Sequence, residues 1–195
     1  MRKSAIIIII SLLMIAPVYA VDLTGQFAVT GGVGYGFGFG AAFDEFEYPG
    51  GGTEEHKLTF AAGGGGRYNF TPEMGVRMFV IYQAYDWDWE SGGVPALTES
   101  GSENWIQINA NFTYTMMPEG NTMPYFMAGP GYYMPSHEDA DSEIGFNGGV
   151  GVLHFFSPEL ALDASANFHW INTEGDAPTF IQFLAGVSYF FGGGQ

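Results

Sequence analysis

From Phe27 to Phe39 alternate residues are apolar or aromatic, with one glycine among them: Phe27, Val29, Gly31, Val33, Tyr35, Phe37, Phe39. The residues between them are small or polar: Ala28, Thr30, Gly32, Gly34, Gly36, Gly38. The same alternation recurs at Ile106, Ile108, Ala110, Phe112, Tyr114; at Leu160, Leu162, Ala164, Ala166, Phe168, Trp170; and at Ile181, Phe183, Ala185, Val187, Tyr189, Phe191. A helix would scatter these side chains around its axis, whereas a strand gathers them on one face. The runs exceed the ~5–6 residues of an ordinary strand and reach the ~10 that a tilted strand needs to cross a bilayer.

The second face decides the environment. It carries Gln, Asn, Thr, Ser, Gly and Ala with few charges, while the apolar face is aromatic near both ends. A soluble sandwich would place Lys and Glu on its outer face; a transmembrane barrel has an apolar exterior, aromatic girdles and a polar interior. Strands are predicted at 25–43, 55–70, 74–89, 103–117, 123–135, 143–157, 159–172 and 179–191. Eight is an even number, as a single-chain bacterial barrel requires. Sixteen such strands would leave no residues for loops, which excludes a general porin.

Composition narrows the chemistry. With no cysteine there is no disulfide framework, thiolate metal site or cysteine nucleophile. A formal charge of -16, from 21 acidic and 5 basic residues, repels phosphate and excludes electrostatic nucleic-acid binding. Arg2 and Lys3, the apolar run from Ala5 to Ile15 and the small residues Val18 and Ala20 read as a secretory signal over 1–20. The apolar run is too short for a membrane helix. The mature domain is then 21–195, and losing Arg2 and Lys3 takes the charge from -16 to -18.

The connections alternate. Thr71-Pro72-Glu73, Met117-Pro118-Glu119 and Ser157-Pro158-Glu159 are short proline turns. The connections Asp44 to Glu55, Asp86 to Glu103, His137 to Glu143 and Asn172 to Pro178 are longer and hold most of the acid. Short periplasmic turns and long outer loops are the asymmetry of an outer-membrane barrel with both termini in the periplasm.

Pro124 to Tyr132 (PYFMAGPGY), Gly145 to Val152 (GFNGGVGV) and the closing Ile181 to Phe191 resemble the small eight-stranded outer-membrane barrels of the OmpA and OmpX type. The resemblance implies an all-β, antiparallel up-and-down transmembrane barrel, surrounded by outer-membrane lipid and inserted by the barrel assembly machinery. In that family the last strand ends in an aromatic with apolar residues at alternate positions before it, which makes Tyr189 and Phe191 the assembly signal. Gly192 to Gln195 depart from the pattern, since the family aromatic is usually terminal. A monomer without cofactor, resident metal or nucleic-acid partner is expected.

Strand parity points Arg67, Arg77 and Asp163 inward near the periplasmic end. Buried charges need partners, so these three are expected to form an interior network. A plug is preferred to a gate because eight strands enclose a space that side chains usually fill. Gly63 and Gly65 are expected to make room for the guanidinium arms, and an added Arg facing the lumen to cost less than one facing lipid if the interior can hydrate it. Asp86, Asp88 and Glu90, with Glu138, Asp139, Asp141 and Glu143, are the candidates for cation binding, although solvation is the ordinary role of such acids and no calcium-loop motif is present. Trp87, Trp89 and Trp105 are expected in the outer aromatic girdle, with a ligand platform as the second reading. A lipid deacylase would need His-x-Ser-Asn; here His169-Trp170-Ile171-Asn172 places Ile171 where the nucleophile belongs. The expected function is a non-enzymatic surface protein, structural or adhesive through its acidic loops. A narrow porin-like channel for small solutes or cations is the alternative, and a lipid-modifying enzyme the third reading.

Overall fold

The computed structural model describes residues 21–39, 43, 46–47, 51–92, 97–118, 120–136, 141–173 and 177–192. The expected signal segment 1–20 lies outside the described residues, as do Glu138 and Asp139. The strands are β1 (Phe27–Phe39), β2 (Phe46–Glu47), β3 (Thr53–Asn69), β4 (Met74–Glu90), β5 (Thr98–Thr115), β6 (Thr122–Pro135), β7 (Glu143–Phe155), β8 (Leu160–Ile171) and β9 (Thr179–Phe191). Each long strand pairs antiparallel with its sequence neighbour, and β1 pairs with both β9 and β3. The sheet is therefore a closed eight-stranded barrel, with β2 a two-residue extension alongside β3.

Closure removes the sheet edge, the condition for strands to stand in lipid. The apolar alternates face out: Val29, Val33, Val76, Met78, Val80, Phe112, Val150, Phe183 and Val187 are all exposed. Phe37, Phe39, Tyr132, Phe168 and Trp170 ring one end, and Phe27, Tyr68, Tyr114, Phe126, Tyr189 and Phe191 the other. The polar alternates Thr30, Asn109, Asn111, Thr113, Asn147, Asn167 and Ser188 are buried inside.

Two of the proline turns are built alike. The Thr71 hydroxyl accepts from Met74 N and donates to Glu73; the Ser157 hydroxyl accepts from Leu160 N and donates to Glu159. Each hydroxyl–proline–glutamate trio thus closes its own turn with side-chain bonds. Below the barrel, Val21 and Leu23 are buried, and Gly25 N donates to Asn69 O, which ties the N-terminal residues across the end that carries the proline turns.

The outer ends differ from the expected plan. The connection expected from Asp86 to Glu103 is shorter: β4 ends at Glu90, one residue past the expected 74–89, and β5 begins at Thr98, five residues before the expected 103. Acidic residues imitate a loop in composition, but the alternation does not stop, and β3 supplies partners for it, Glu55 opposite Asp88 and Thr53 opposite Glu90. Strands β3, β4 and β5 have 17, 17 and 18 residues, against 12 to 14 in the other five. They rise above the rim as a three-stranded sheet. A bulge between Leu58 and Ala61 shifts the pairing of β3 with β4. It buries Leu58 inside and turns Lys57 and Glu55 outward, and Gln83 Nε2 donates to the freed carbonyls of Thr59 and Phe60.

Candidate functional site

The lumen is filled in layers. At the end that carries the proline turns Val21, Leu23, Met123, Leu153, Phe155 and Phe190 form an apolar floor. Above it lie the charges. Arg77 Nη2 is 3.5 Å from Asp163 Oδ2, and Arg77 Nη1 donates to the Tyr125 hydroxyl at 2.9 Å. That hydroxyl donates in turn to Asp163 Oδ1 at 2.6 Å. Ser188 adds a bond of 3.4 Å to Asp163 Oδ2 and is itself 2.6 Å from the Thr30 hydroxyl. The carboxylate thus has partners from β4, β6 and β9.

Arg67 behaves differently. It stands directly opposite Arg77 in the β3–β4 register, yet its bonds go to neutral groups, Asn69 Oδ1 at 3.0 Å and the Thr115 hydroxyl at 2.7 Å. Its guanidinium lies 4.8 Å from the centre of the Tyr125 ring, a cation–π contact. The structure therefore brings the three charged residues into one region but pairs only Arg77 with Asp163. Tyr125, which joins all three, went unrecognised in the sequence. It has the inward parity of Met123 and Met127, and that parity was the available signal.

The glycines make room for other groups than expected. A Cβ on Gly65 would strike the Phe79 ring and one on Gly63 the Ile81 side chain, so apolar side chains occupy that space. Arg77 lies over Phe79, 4.4 Å from the ring centre. On the opposite wall Gly151 faces Tyr125 across the β6–β7 register, and a Cβ there would overlap the phenol ring. Gly151 is what allows Tyr125 to cross the lumen.

Above the charges, Asn109, Asn111, Asn147, Asn167 and His169 line a cavity of about 10 Å³, room for about one water. The outer end is closed by Leu58, Tyr133, Ile171 and Phe180, with Phe43, Tyr85 and Trp105 packed on them. His169 stacks on Phe180 at 4.4 Å and 5°, and its Nδ1 is 2.9 Å from the Tyr133 hydroxyl. Ile171 is buried in this apolar lid, so the His169–Asn172 segment carries no nucleophile in space either.

The tryptophan expectation is corrected here. Trp105 is two residues from the buried Gln107 and turns inward, 5.6 Å from Phe180. Trp87 and Trp89 share the parity of the buried Gln83 and stand on the lumen side of the raised sheet. Period 2 places them there, whatever their preference for an interface.

On the outward side of the raised sheet Asp86, Asp88 and Glu90 are exposed. Lys57 Nζ lies 2.7 Å from Glu55 and 3.7 Å from Asp88. The hydrogen bond that the Lys57 ammonium donates to Glu55 raises its pKa above the ordinary lysine value. A cleft of about 460 Å³ opens among Thr53, Glu55, Asp88, Trp89, Glu90 and Glu99. Asp141 is exposed before β7 and Glu143 opens that strand. Among the described residues no three His, Asp or Glu side chains converge to hold a metal ion. Alternate strand positions keep Asp86, Asp88 and Glu90 about two residue rises apart, roughly 7 Å. Tyr189 and Phe191 face outward at the end of β9, where Phe191 meets Phe27 at 5.0 Å across the closing seam.

Solved structures share this architecture. OprG of Pseudomonas aeruginosa is 12% identical with a TM-score of 0.60, covering 90% of this chain and 100% of that one. Neisserial surface protein A is 16% identical with a TM-score of 0.57, covering 86% and 99%. Ail, the attachment invasion locus protein of Yersinia pestis, in complex with the heparin analogue sucrose octasulfate, is 16% identical with a TM-score of 0.52, covering 86% and 99%. No curated protein matches the sequence. At these identities the structural likeness speaks for the fold. The family model for the outer membrane protein beta-barrel domain matches residues 7–191, and this chain belongs to that family.

Proposed function

We propose that this outer-membrane barrel is a non-conducting, non-enzymatic surface protein, structural or adhesive, whose contacts are made by the raised β3–β4–β5 sheet. The observation that carries this reading is the contrast between its two parts. The lumen is closed below by Leu23, Phe155 and Phe190 and above by Tyr133, Phe180 and Trp105. The three longest strands instead project a surface with Trp87 and Trp89 on one side and Asp86, Asp88 and Glu90 on the other. Aromatic rings and carboxylates together suit a cationic or polar partner. Ail is described with a sulfated ligand; an acidic sheet would repel one.

In this reading residues 1–20 are removed after secretion, both termini lie in the periplasm and the acidic connections face outside. The chain inserts as a monomer through the barrel assembly machinery, which reads Tyr189 and Phe191. The decisive experiment is single-channel recording of the purified protein in planar bilayers, alongside binding of cationic and anionic host polymers to cells carrying it. Absence of conductance with preference for the cationic polymer is expected. Steady ion-conducting openings would overturn the non-conducting reading.

A further inference from the structure

The interior charges do not balance. Among the described residues Arg67, Arg77 and Asp163 are the buried side chains with fixed charge, 2%, 5% and 4% exposed. Asp163 is engaged by Arg77, Tyr125 and Ser188. Arg67 has no carboxylate within ion-pair distance among the described residues. A guanidinium keeps its proton in proteins, and an uncompensated charge is costly to bury. The barrel wall thus encloses one positive charge in excess.

Unpartnered buried polar atoms occur along the whole lumen, and three able to donate belong to Arg67 and to residues near it on β3 and β5. Arg67 Nη1 and Asn69 Nδ2 are buried and bond to nothing, although the two side chains are joined through Arg67 Nε and Asn69 Oδ1. Thr113 Oγ1 is also buried and free. Asn69, Gly75 and Thr113 are successive partners across β3, β4 and β5, so they share one layer of the wall. Gly75, between the other two, has no side chain, and the Asn69 carboxamide lies over it through Oδ1. Arg67 reaches Thr115, two residues beyond Thr113 on the same face. Three groups able to donate, one of them cationic, therefore lie within two residues of one another along the inner face of β3 and β5.

We propose that Arg67, Asn69 and Thr113 bind a small monovalent inorganic anion, of the halide class, as the counter-ion of the barrel interior. Arg67 Nη1, Asn69 Nδ2 and the Thr113 hydroxyl donate to it. The site lies just inside the periplasmic closure, where Gly25 and Gln26 bond to Asn69. The anion completes the folded state, so barrel stability rises with its concentration.

The test is urea unfolding of the protein refolded in phosphatidylcholine vesicles, with sodium bromide exchanged for sodium gluconate at constant ionic strength. Gluconate is too large for the site. Above the dissociation constant the unfolding equilibrium constant of the parent falls about tenfold for each tenfold rise in bromide. Arg67→Gln abolishes the dependence. Asn69→Asp places a carboxylate beside Arg67 Nε, so that variant is bromide-independent and more stable than the parent in gluconate. Equal stability of the parent in bromide and gluconate overturns the proposal. So does an unchanged bromide response in Arg67→Gln, which would be a general salt effect. Should Arg67→Gln fail to fold, Asn69→Asp decides: a retained bromide response there overturns the site, and its loss supports it.

Discussion

The Tyr125 hydroxyl sits between opposite charges, donating to Asp163 Oδ1 at 2.6 Å while accepting from Arg77 Nη1 at 2.9 Å. The ring below that hydroxyl occupies the space that Gly151 leaves open. One neutral side chain thus links β4, β6 and β8 across the lumen.

Tyr125→Phe removes both bonds and leaves the buried partners to each other. The expected loss is about 1–3 kcal/mol. Gly151→Ala drives a methyl into the same ring and costs about 1–3 kcal/mol by overpacking. Both act on one contact, so the double variant should lose less than the sum. Additive losses in reversible unfolding in lipid would show that Gly151 does not act through Tyr125.

Lipid exposure is tested by Arg at Phe112, Leu162 or Val187, expected to cost about 2–4 kcal/mol near the bilayer midplane. The sequence suggested that Arg at the neighbouring Thr113 or Ser188 would cost less. Both positions are now seen to be buried to 1% exposure or below. An added guanidinium there meets a packed wall and two existing guanidiniums, so its cost should at least equal that on the lipid side. A smaller loss at Thr113 or Ser188 would reveal a hydrated lumen.

Strand number, closure and the facing of each long run were legible because one period governs all of them. Phe112 and Thr113 could be assigned to opposite sides from parity alone. The expected strand 74–89 already held Asp86 and Asp88; what stayed hidden was the start of β5 at Thr98 rather than at 103, because Glu99, Ser100, Gly101 and Ser102 have the composition of a loop. Trp105 was misread by residue preference when its distance from Gln107 already placed it inside. Which charges pair also escaped parity. Arg67 and Arg77 share a layer, but side-chain reach sends one toward Thr115 and the other toward Asp163. Partners set by reach across the lumen leave no periodic trace.

The proposed orientation is tested at the unequal ends. Protease added to intact cells should cut near Glu54 and within the 91–97 connection, and should spare Pro72, Pro118 and Pro158. The three raised strands extend past the other five, while two of the proline turns are closed by their own Ser or Thr and Glu. Cleavage confined to the proline turns would invert the topology.

Asp163→Asn leaves Arg77 without its carboxylate beside an already unpaired Arg67. Removing one side of a buried pair costs ~3–5 kcal/mol when water is excluded. On the non-conducting reading the apolar floor and the aromatic lid exclude it, so the loss should fall in that range in vesicles with gluconate as the only anion. Where the variant still folds, repulsion between the guanidiniums should loosen the lumen and raise conductance over the parent. Replacing all three charges together, as Arg67→Gln, Arg77→Met and Asp163→Asn, leaves no unpaired charge and should recover much of the stability. Recovery greater than the sum of the separate changes identifies the three as one electrostatic unit. Asp163→Asn with the stability and conductance of the parent would show that Arg77 does not depend on this carboxylate, and the interior would then be held by packing alone.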